Sequence, residues 1–366
     1  MSATSTPRRA LGRDDIDDGM ATMIEPGEVR AARGAEPARV TPAARLRGSL
    51  SLPGDKSISH RALLLAAIAD GTSRIRHAGD GDDVRTTARL VGALGPEVAR
   101  YDGADGRSAE YVVTSPGAEG LAEPADVLDC GNSGTSLRLL AGILAARPGL
   151  AVLTGDASLR ARPVARIVDP LREMGASVVA RRDDALPPLA IRGRAPLRAI
   201  DHTPGVPSAQ VKSAILLAGL GAEGTTTVSE RVATRDHTER MLRARGVRVV
   251  TEATAHGGTC VAIDGGQRVD AANTDVPGDV SAAAFWLVAA SIHPDAELRI
   301  AGVGLNPSRT AVVEILRAMG ADLDVRSDAG GLAAAQPGRR HLRGPLPRGR
   351  PGRPGHGPER LPCRLQ

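Results

Sequence analysis

Four short segments of this 366-residue chain carry the residue types that hold anions. They read PGDKSISHR from Pro53 to Arg61, DCGNSGTSLR from Asp129 to Arg138, PSAQVKS from Pro207 to Ser213 and PGDVSAAA from Pro277 to Ala284. Each opens an Ala/Leu-rich run. Glycine and serine let a backbone approach a ligand closely, and a helix N-terminus offers unpaired N–H groups and a positive dipole end. Lys56, Arg61, Arg138, Arg162 and Arg235 add full charges. Arginine suits phosphate and carboxylate because its donors form a planar fork. One such segment alone is as well explained by ordinary helix capping; their repetition favours an anion site.

Other chemistries find little support. There is no Walker motif, and GDGDD at Gly79–Asp83 is too acidic to cradle phosphate. Cys130, Cys260 and Cys363 are far apart, which gives neither metal-ligand spacing nor a disulfide framework and fits a reducing compartment. His60 and His237 are isolated and are expected in capping or core roles. No Gly-x-Ser-x-Gly elbow occurs, and no apolar run reaches the roughly 20 residues that span a bilayer.

The elements that must position these segments repeat. Each copy has an Ala/Leu-rich helix, a tight turn, a β-branched strand, an amphipathic helix, a glycine and a further strand. The copies start near Ala62, Leu137, Lys212 and Ala283. Val164, Ile167, Val168 and Leu171 show the helical period, and Gly95, Gly175, Gly246 and Gly320 are expected to end the second helices. Thr72–Ile75 and Thr225–Val228 are expected strands. The fold class is therefore α/β, with a core of small aliphatic side chains: Tyr101, Tyr111, Phe285 and Trp286 are the whole aromatic set.

Five stretches carry a specific resemblance: PGDKSISHRALLLAA, LDCGNSGTSLRLLAG, GDASLRARPVARIVDPLREMGA, PSAQVKSAILLAGL and TRDHTERML. In this order, over about residues 40–325, the chain resembles the 5-enolpyruvylshikimate-3-phosphate synthases among the enolpyruvyl transferases. The resemblance implies two domains of the inside-out α/β barrel kind, each of three repeated units. Residues 56–275 would form a complete three-unit domain; 38–55 plus 276–325 would form an incomplete second one. It implies transfer of the enolpyruvyl group of phosphoenolpyruvate to the 5-hydroxyl of shikimate 3-phosphate, with release of phosphate, on the path to chorismate and the aromatic amino acids. It implies no metal or other cofactor, and a cytoplasmic, monomeric enzyme with small-molecule substrates and neither nucleic acid nor membrane as partner.

By the same resemblance, shikimate 3-phosphate is assigned to Lys56, Ser57, Arg61, Ser208, Ala209, Gln210 and Arg235. Ala209 replaces a serine seen in some relatives, which leaves it backbone or packing contacts. Phosphoenolpyruvate is assigned to Lys56, Asn132, Gly134 and Arg162, with Thr135 close. Arg138 is expected as a structural partner. Asp82 and Asp83 either orient Lys56, cap the following helix or are solvated loop charges. Gly134 would leave room for glyphosate, making the protein a glyphosate target. The related transferase acting on UDP-N-acetylglucosamine fits less well, because its first segment differs and Cys130 is not in the loop where that enzyme usually carries a cysteine.

Two terminal stretches depart from this pattern. Residues 1–37 lack an apolar signal core and are expected to be disordered. From Asp328 the chain holds eight Arg, seven Pro and eight Gly in 39 residues, and it accounts for the formal net charge of +5. Residues 326–366 are therefore expected to be a disordered tail, and the bias suggests a shifted reading frame. The family's usual catalytic aspartate, glutamate and late lysine are not found, so no catalytic residue is assigned beyond a contribution from Lys56. The expectation is an impaired enzyme, or alternatively a non-catalytic binder of shikimate 3-phosphate or of a partner.

Overall fold

The computed structural model describes residues 41–327 except 104, 105, 107, 255 and 256, together with the backbone of Glu28–Val29, Ala38–Arg39 and Arg339–Pro345. The first two of these short strands pair antiparallel within a separate unit that ends at Ala44. Apart from them, the 1–37 stretch expected to be disordered lies outside the described residues.

From Arg45 onward the repeat foreseen in the sequence is a repeat of structure. The opening helices are α1 (Lys56–Ala67), α3 (Gly134–Ala145), α5 (Ala209–Gly219) and α7 (Val280–Ile292). The amphipathic ones are α2 (Asp82–Gly92), α4 (Ala165–Glu173), α6 (His237–Arg243) and α8 (Ala311–Ala318). Four side chains at equivalent positions, Asp55, Ser133, Ser208 and Asp279, cap the opening helices by accepting from backbone N–H groups of the first turn. The second helices end as expected: Gly95, Gly175, Gly246 and Gly320 all have φ between 78° and 106°. At Gly175 the Ala176 N–H donates to Leu171 O at 3.0 Å, a bond that requires the left-handed turn.

Each unit builds a four-stranded sheet of one order. In the second, Leu128–Asp129 lies parallel to Gly149–Thr154, followed by Leu186–Gly193 and Ser177–Arg181, both antiparallel to their neighbours. The third repeats this with Asp201–His202, Thr225–Glu230, Thr259–Asp264 and Val249–Ala253. In the first, Asp70–Gly79, Ser108–Pro116 and Glu97–Asp102 take the same places, but the parallel strand is Thr274–Asp275, which arrives from beyond the third unit. The fourth sheet runs Leu46–Ser51, Ala296–Gly304, Arg339–Pro345, Asp324–Ser327, and its parallel strand comes from before the first unit.

The tail expected to be disordered from residue 326 therefore needs correction. Asp324–Ser327 and Arg339–Pro345 are strands, the latter hydrogen-bonded to Ala296–Gly304. A ladder is made by backbone groups, so an open strand edge can order a segment that lacks any apolar period. Residues 328–338 and 346–366 lie outside the described residues.

α1, α3 and α5 are buried on all sides, mostly through aliphatic residues, with Arg61, Arg138 and Lys212 among the polar exceptions. α3 packs on both α1 and α5. Contact is close enough that a Cβ on Gly142 would stand 2.2 Å from the Ala214 carbonyl oxygen, a backbone atom that cannot swing away. α7 carries no charged residue but buries only Val280, Ala283, Leu287 and Ala290; Phe285 is 80% exposed and Ile292 78%. Gly142→Ala is expected to lower stability by about 1–3 kcal/mol through overpacking. Urea unfolding measures it, and an unchanged midpoint would mean that α3 and α5 do not approach this closely.

Candidate active site

Hydrogen bonds tie the first turns of α3 and α5 together, and the first turn of α1 is bonded to the loop before α6. Gln210 Nε2 of α5 donates to Thr135 Oγ1 of α3 at 2.9 Å. Arg138 Nη1 donates to Gln210 Oε1 at 3.0 Å and to Gly134 O at 3.1 Å, and its Nη2 donates to Pro163 O at 3.1 Å. That is the structural role expected of Arg138. Arg235 Nη1 donates to Ser57 Oγ at 3.2 Å, joining the third unit to the start of α1.

Lys56 is the first residue of α1, and its ammonium is paired with the Asp83 carboxylate. Of the roles left open for Asp83, orientation of Lys56 is the one seen; α2 is preceded by Gly81, without a side-chain cap. Asn132 and Arg162 form a second group. Arg162 Nη2 donates to Asn132 Oδ1 at 2.6 Å, and Asn132 Nδ2 donates to Asp156 Oδ2 at 2.7 Å. That bond, more than the nearby Arg162 charge, holds the Asp156 carboxyl below the usual carboxylate range. Gly134 opens α3 beside these side chains: a Cβ there would stand 2.6 Å from Arg138 Nη1 and 3.4 Å from Arg162 Nη1. Ser208 spends its hydroxyl on the α5 cap, and the Ala209 side chain is buried.

Arg61 is placed differently from the other cations. It is 4% exposed and donates through Nε to Thr238 Oγ1 at 2.7 Å, through Nη2 to Ser213 Oγ at 2.9 Å and through Nη1 to Ser57 O at 3.1 Å. Burial brings its pKa down to about 10, against the opposing pull of Glu239. Two of its N–H donors thus brace α1 against α5 and α6, and a third bonds the Ser57 carbonyl within α1. Beneath it, the Lys212 ammonium sits between the Glu230 and Glu239 carboxylates at 2.7 and 2.8 Å, all three side chains buried.

Several residues of this region escaped the sequence reading. The two PGD segments cross: Asp55 N donates to Pro277 O at 2.7 Å and Asp279 N donates to Pro53 O at 3.0 Å. The Asp55 and Asp279 caps are thereby brought near each other, and burial, then the Asp279 charge, raises the Asp55 pKa. Arg309, whose guanidinium donates to Ser281 Oγ, is close enough to lower the Arg235 pKa, after burial. Asn306 donates to Asp236 Oδ1 at 2.6 Å, linking the fourth unit to the third. The repeated PGD was the one available signal; nothing in the spacing of Asn306 or Arg309 pointed here.

His60 and His237 are buried, in keeping with core roles. His60 Nδ1 lies 2.6 Å from Thr87 Oγ1, which lies 2.6 Å from Ser136 Oγ, so a chain of buried polar groups runs from α1 through α2 to α3. Burial pushes both imidazoles down to about 3. With a folded pKa below the unfolded 6.5, each contributes stability that is complete above pH 6.5 and is lost as pH falls toward 3. His60→Gln removes one of these protons, so stability between pH 6 and pH 4.5 is expected to fall less steeply, by up to about 1.4 kcal/mol per pH unit. Urea titrations at several pH values test this; an unaltered slope would mean that His60 is already charged in the fold.

Comparison with known proteins agrees with this geometry. The family described as EPSP synthase (3-phosphoshikimate 1-carboxyvinyltransferase) matches residues 40–341. A 3-phosphoshikimate 1-carboxyvinyltransferase of Gloeobacter violaceus is 54% identical over 289 residues, 79% of this chain and 64% of the relative. One from Anaeromyxobacter sp. strain K is 52% identical over 288 residues, 78% of this chain and 62% of the relative. The EPSP synthase of Acinetobacter baumannii superposes with a TM-score of 0.73 at 41% identity, covering 82% of this chain and 65% of that one. The chain thus spans a little under two thirds of the length of these relatives. Repeated units, capped helix N-termini and sequence identity all lead to the same place: the chain belongs to the EPSP synthase family.

Proposed function

We propose that this chain binds shikimate 3-phosphate and phosphoenolpyruvate at the joined N-termini of α1, α3 and α5 and serves transfer of the enolpyruvyl group to the 5-hydroxyl. The observation that carries the reading is the set of bonds Gln210–Thr135, Arg138–Gln210 and Arg235–Ser57. They hold three positive helix ends and their cations on one face. Both substrates are anions that repel unless cations offset them. Lys56, Ser57, Ser208, Gln210 and Arg235 take shikimate 3-phosphate; Ala209 contributes backbone and packing, and Arg61 contributes through its remaining N–H groups and by bracing Ser57. Lys56, Asn132, Gly134 and Arg162 take phosphoenolpyruvate.

In the reaction the 5-hydroxyl gives up its proton and its oxygen bonds to C2 of phosphoenolpyruvate while C3 gains a proton, giving a tetrahedral intermediate that still carries the phosphate. Phosphate then leaves as C3 gives a proton up. Lys56 contributes positive charge next to that centre. No cofactor is needed.

The same reading treats residues 56–275 as one three-unit domain, closed by Thr274–Asp275, and residues 38–55 with 276–325 as belonging to a second. It places the protein in the cytoplasm as a monomer and as a target of glyphosate. Binding without turnover is the second reading, and the exposed apolar face of α7 favours it, because the fourth unit stands without neighbours like those of α1, α3 and α5 among the described residues.

Calorimetry of the full chain is expected to show saturable shikimate 3-phosphate binding that weakens about 10-fold or more in Arg235→Ala, the loss of a charge-assisted bond. Gly134→Ala is expected to weaken phosphoenolpyruvate several-fold, by displacing Arg138 and Arg162, and to weaken shikimate 3-phosphate less, through the Arg138–Gln210 bond alone. No heat from a folded sample would defeat the reading. Phosphate release on mixing both substrates separates the transferase from the binder.

A further inference from the structure

The opposite ends of the same three helices enclose a second feature. A cavity of about 710 Å³ lies where the C-termini of α1, α3 and α5 come together. Ile68, Ile143, Ala146, Leu217 and Leu220 line it, so every one of the first three units supplies its last helical turn or the residue after it. A helix of 11 or 12 residues is about 17 Å long, which separates this cavity from the N-terminal anion site by the full depth of the core. The volume falls in the range, roughly 300–1,000 Å³, that suits small organic molecules.

The charges around it select a sign. Three helix C-termini each bring about half a negative charge. Asp70, Glu119 and Glu223 add carboxylates, against the guanidinium groups of Arg147 and Arg268. Both cations already serve the protein: Arg268 Nη2 bonds Asp70 Oδ2 at 2.6 Å, and Arg147 Nη2 donates to Glu119 O at 2.5 Å. The balance is negative, so an anion is repelled. A metal ion is not suited either: among the described residues no group of three or more His, Cys, Asp or Glu is placed to hold one. The apolar part of the walls is aliphatic.

We propose that this cavity is a binding site for a small organic ammonium ion, its charged head toward the helix C-termini and Glu223 and its apolar body against Ile68, Ile143 and Leu217. The site is separate from the proposed transfer reaction and stands or falls without it.

Benzylammonium, benzyl alcohol and benzoate, three probes of similar shape and different charge, test the proposal on the full chain. Methyl NMR of Ile68 and Ile143 gives site and affinity together. Benzylammonium is expected to saturate with shifts at both methyl groups, benzyl alcohol to bind about tenfold more weakly, and benzoate more weakly still. Glu223→Gln should weaken benzylammonium and leave benzyl alcohol unchanged. Ala118→Trp, at the rim of the cavity, should abolish binding of all three while circular dichroism stays that of the parent. Equal affinity for the three probes, the absence of saturation, or shifts that leave Ile68 and Ile143 unmoved would overturn it. Should Ala118→Trp fail to fold, the charge series and Glu223→Gln decide alone.

Discussion

A helix that carries aliphatic residues on every side is stable only where every side is covered, and the rest of this structure follows from that constraint. α1, α3 and α5 satisfy it by covering one another, with sheets and amphipathic helices around them. The close approach at Gly142 is possible because no side chain intervenes. Once three such helices run in the same direction, their positive ends must share one face and their negative ends another. The residues proposed to bind the substrates stand at one end of this bundle and the 710 Å³ cavity at the other.

The polar groups near the bundle answer the same constraint. Inside such a core a charge needs partners. Lys212 has Glu230 and Glu239, while Arg61 has Thr238, Ser213 and the Ser57 carbonyl. These contacts fix the first turns of α1 and α5 relative to α6, and so fix where Ser57 and Arg235 meet. Precision in the site is thus built from buried groups that need not all touch a ligand.

α7 makes the same point by contrast. It is more apolar than α1, α3 and α5, is capped in the same way by Asp279, and carries the same kind of sheet. Among the described residues it has α8 and its own sheet as cover, and Phe285, Ile292, Ile315 and Met319 remain exposed. A unit of this repeat buries its opening helix fully only in company with others, as is general for stacked repeats.

The sequence by itself determined the α/β class, the repeat of four units, the capped starts of the opening helices and the glycines that end the second ones. These are local matters: period, capping chemistry and positive φ are written in neighbouring residues. It also marked Lys56, Asn132, Gly134, Arg162, Gln210 and Arg235, because repeated Gly/Ser/Lys/Arg segments are conspicuous and resemble a known family. Tertiary structure alone decided which partners these side chains meet and which cations serve the core. Arg61 is braced inside the protein, Arg138 is held by Gln210, and Lys56 is paired with Asp83. It alone brought Asp55 beside Asp279, Asn306 to Asp236 and the strand Arg339–Pro345 to Ala296–Gly304. Such contacts join residues tens to hundreds of positions apart, and their energy depends on burial and on backbone pairing, neither of which a run of neighbouring residues specifies.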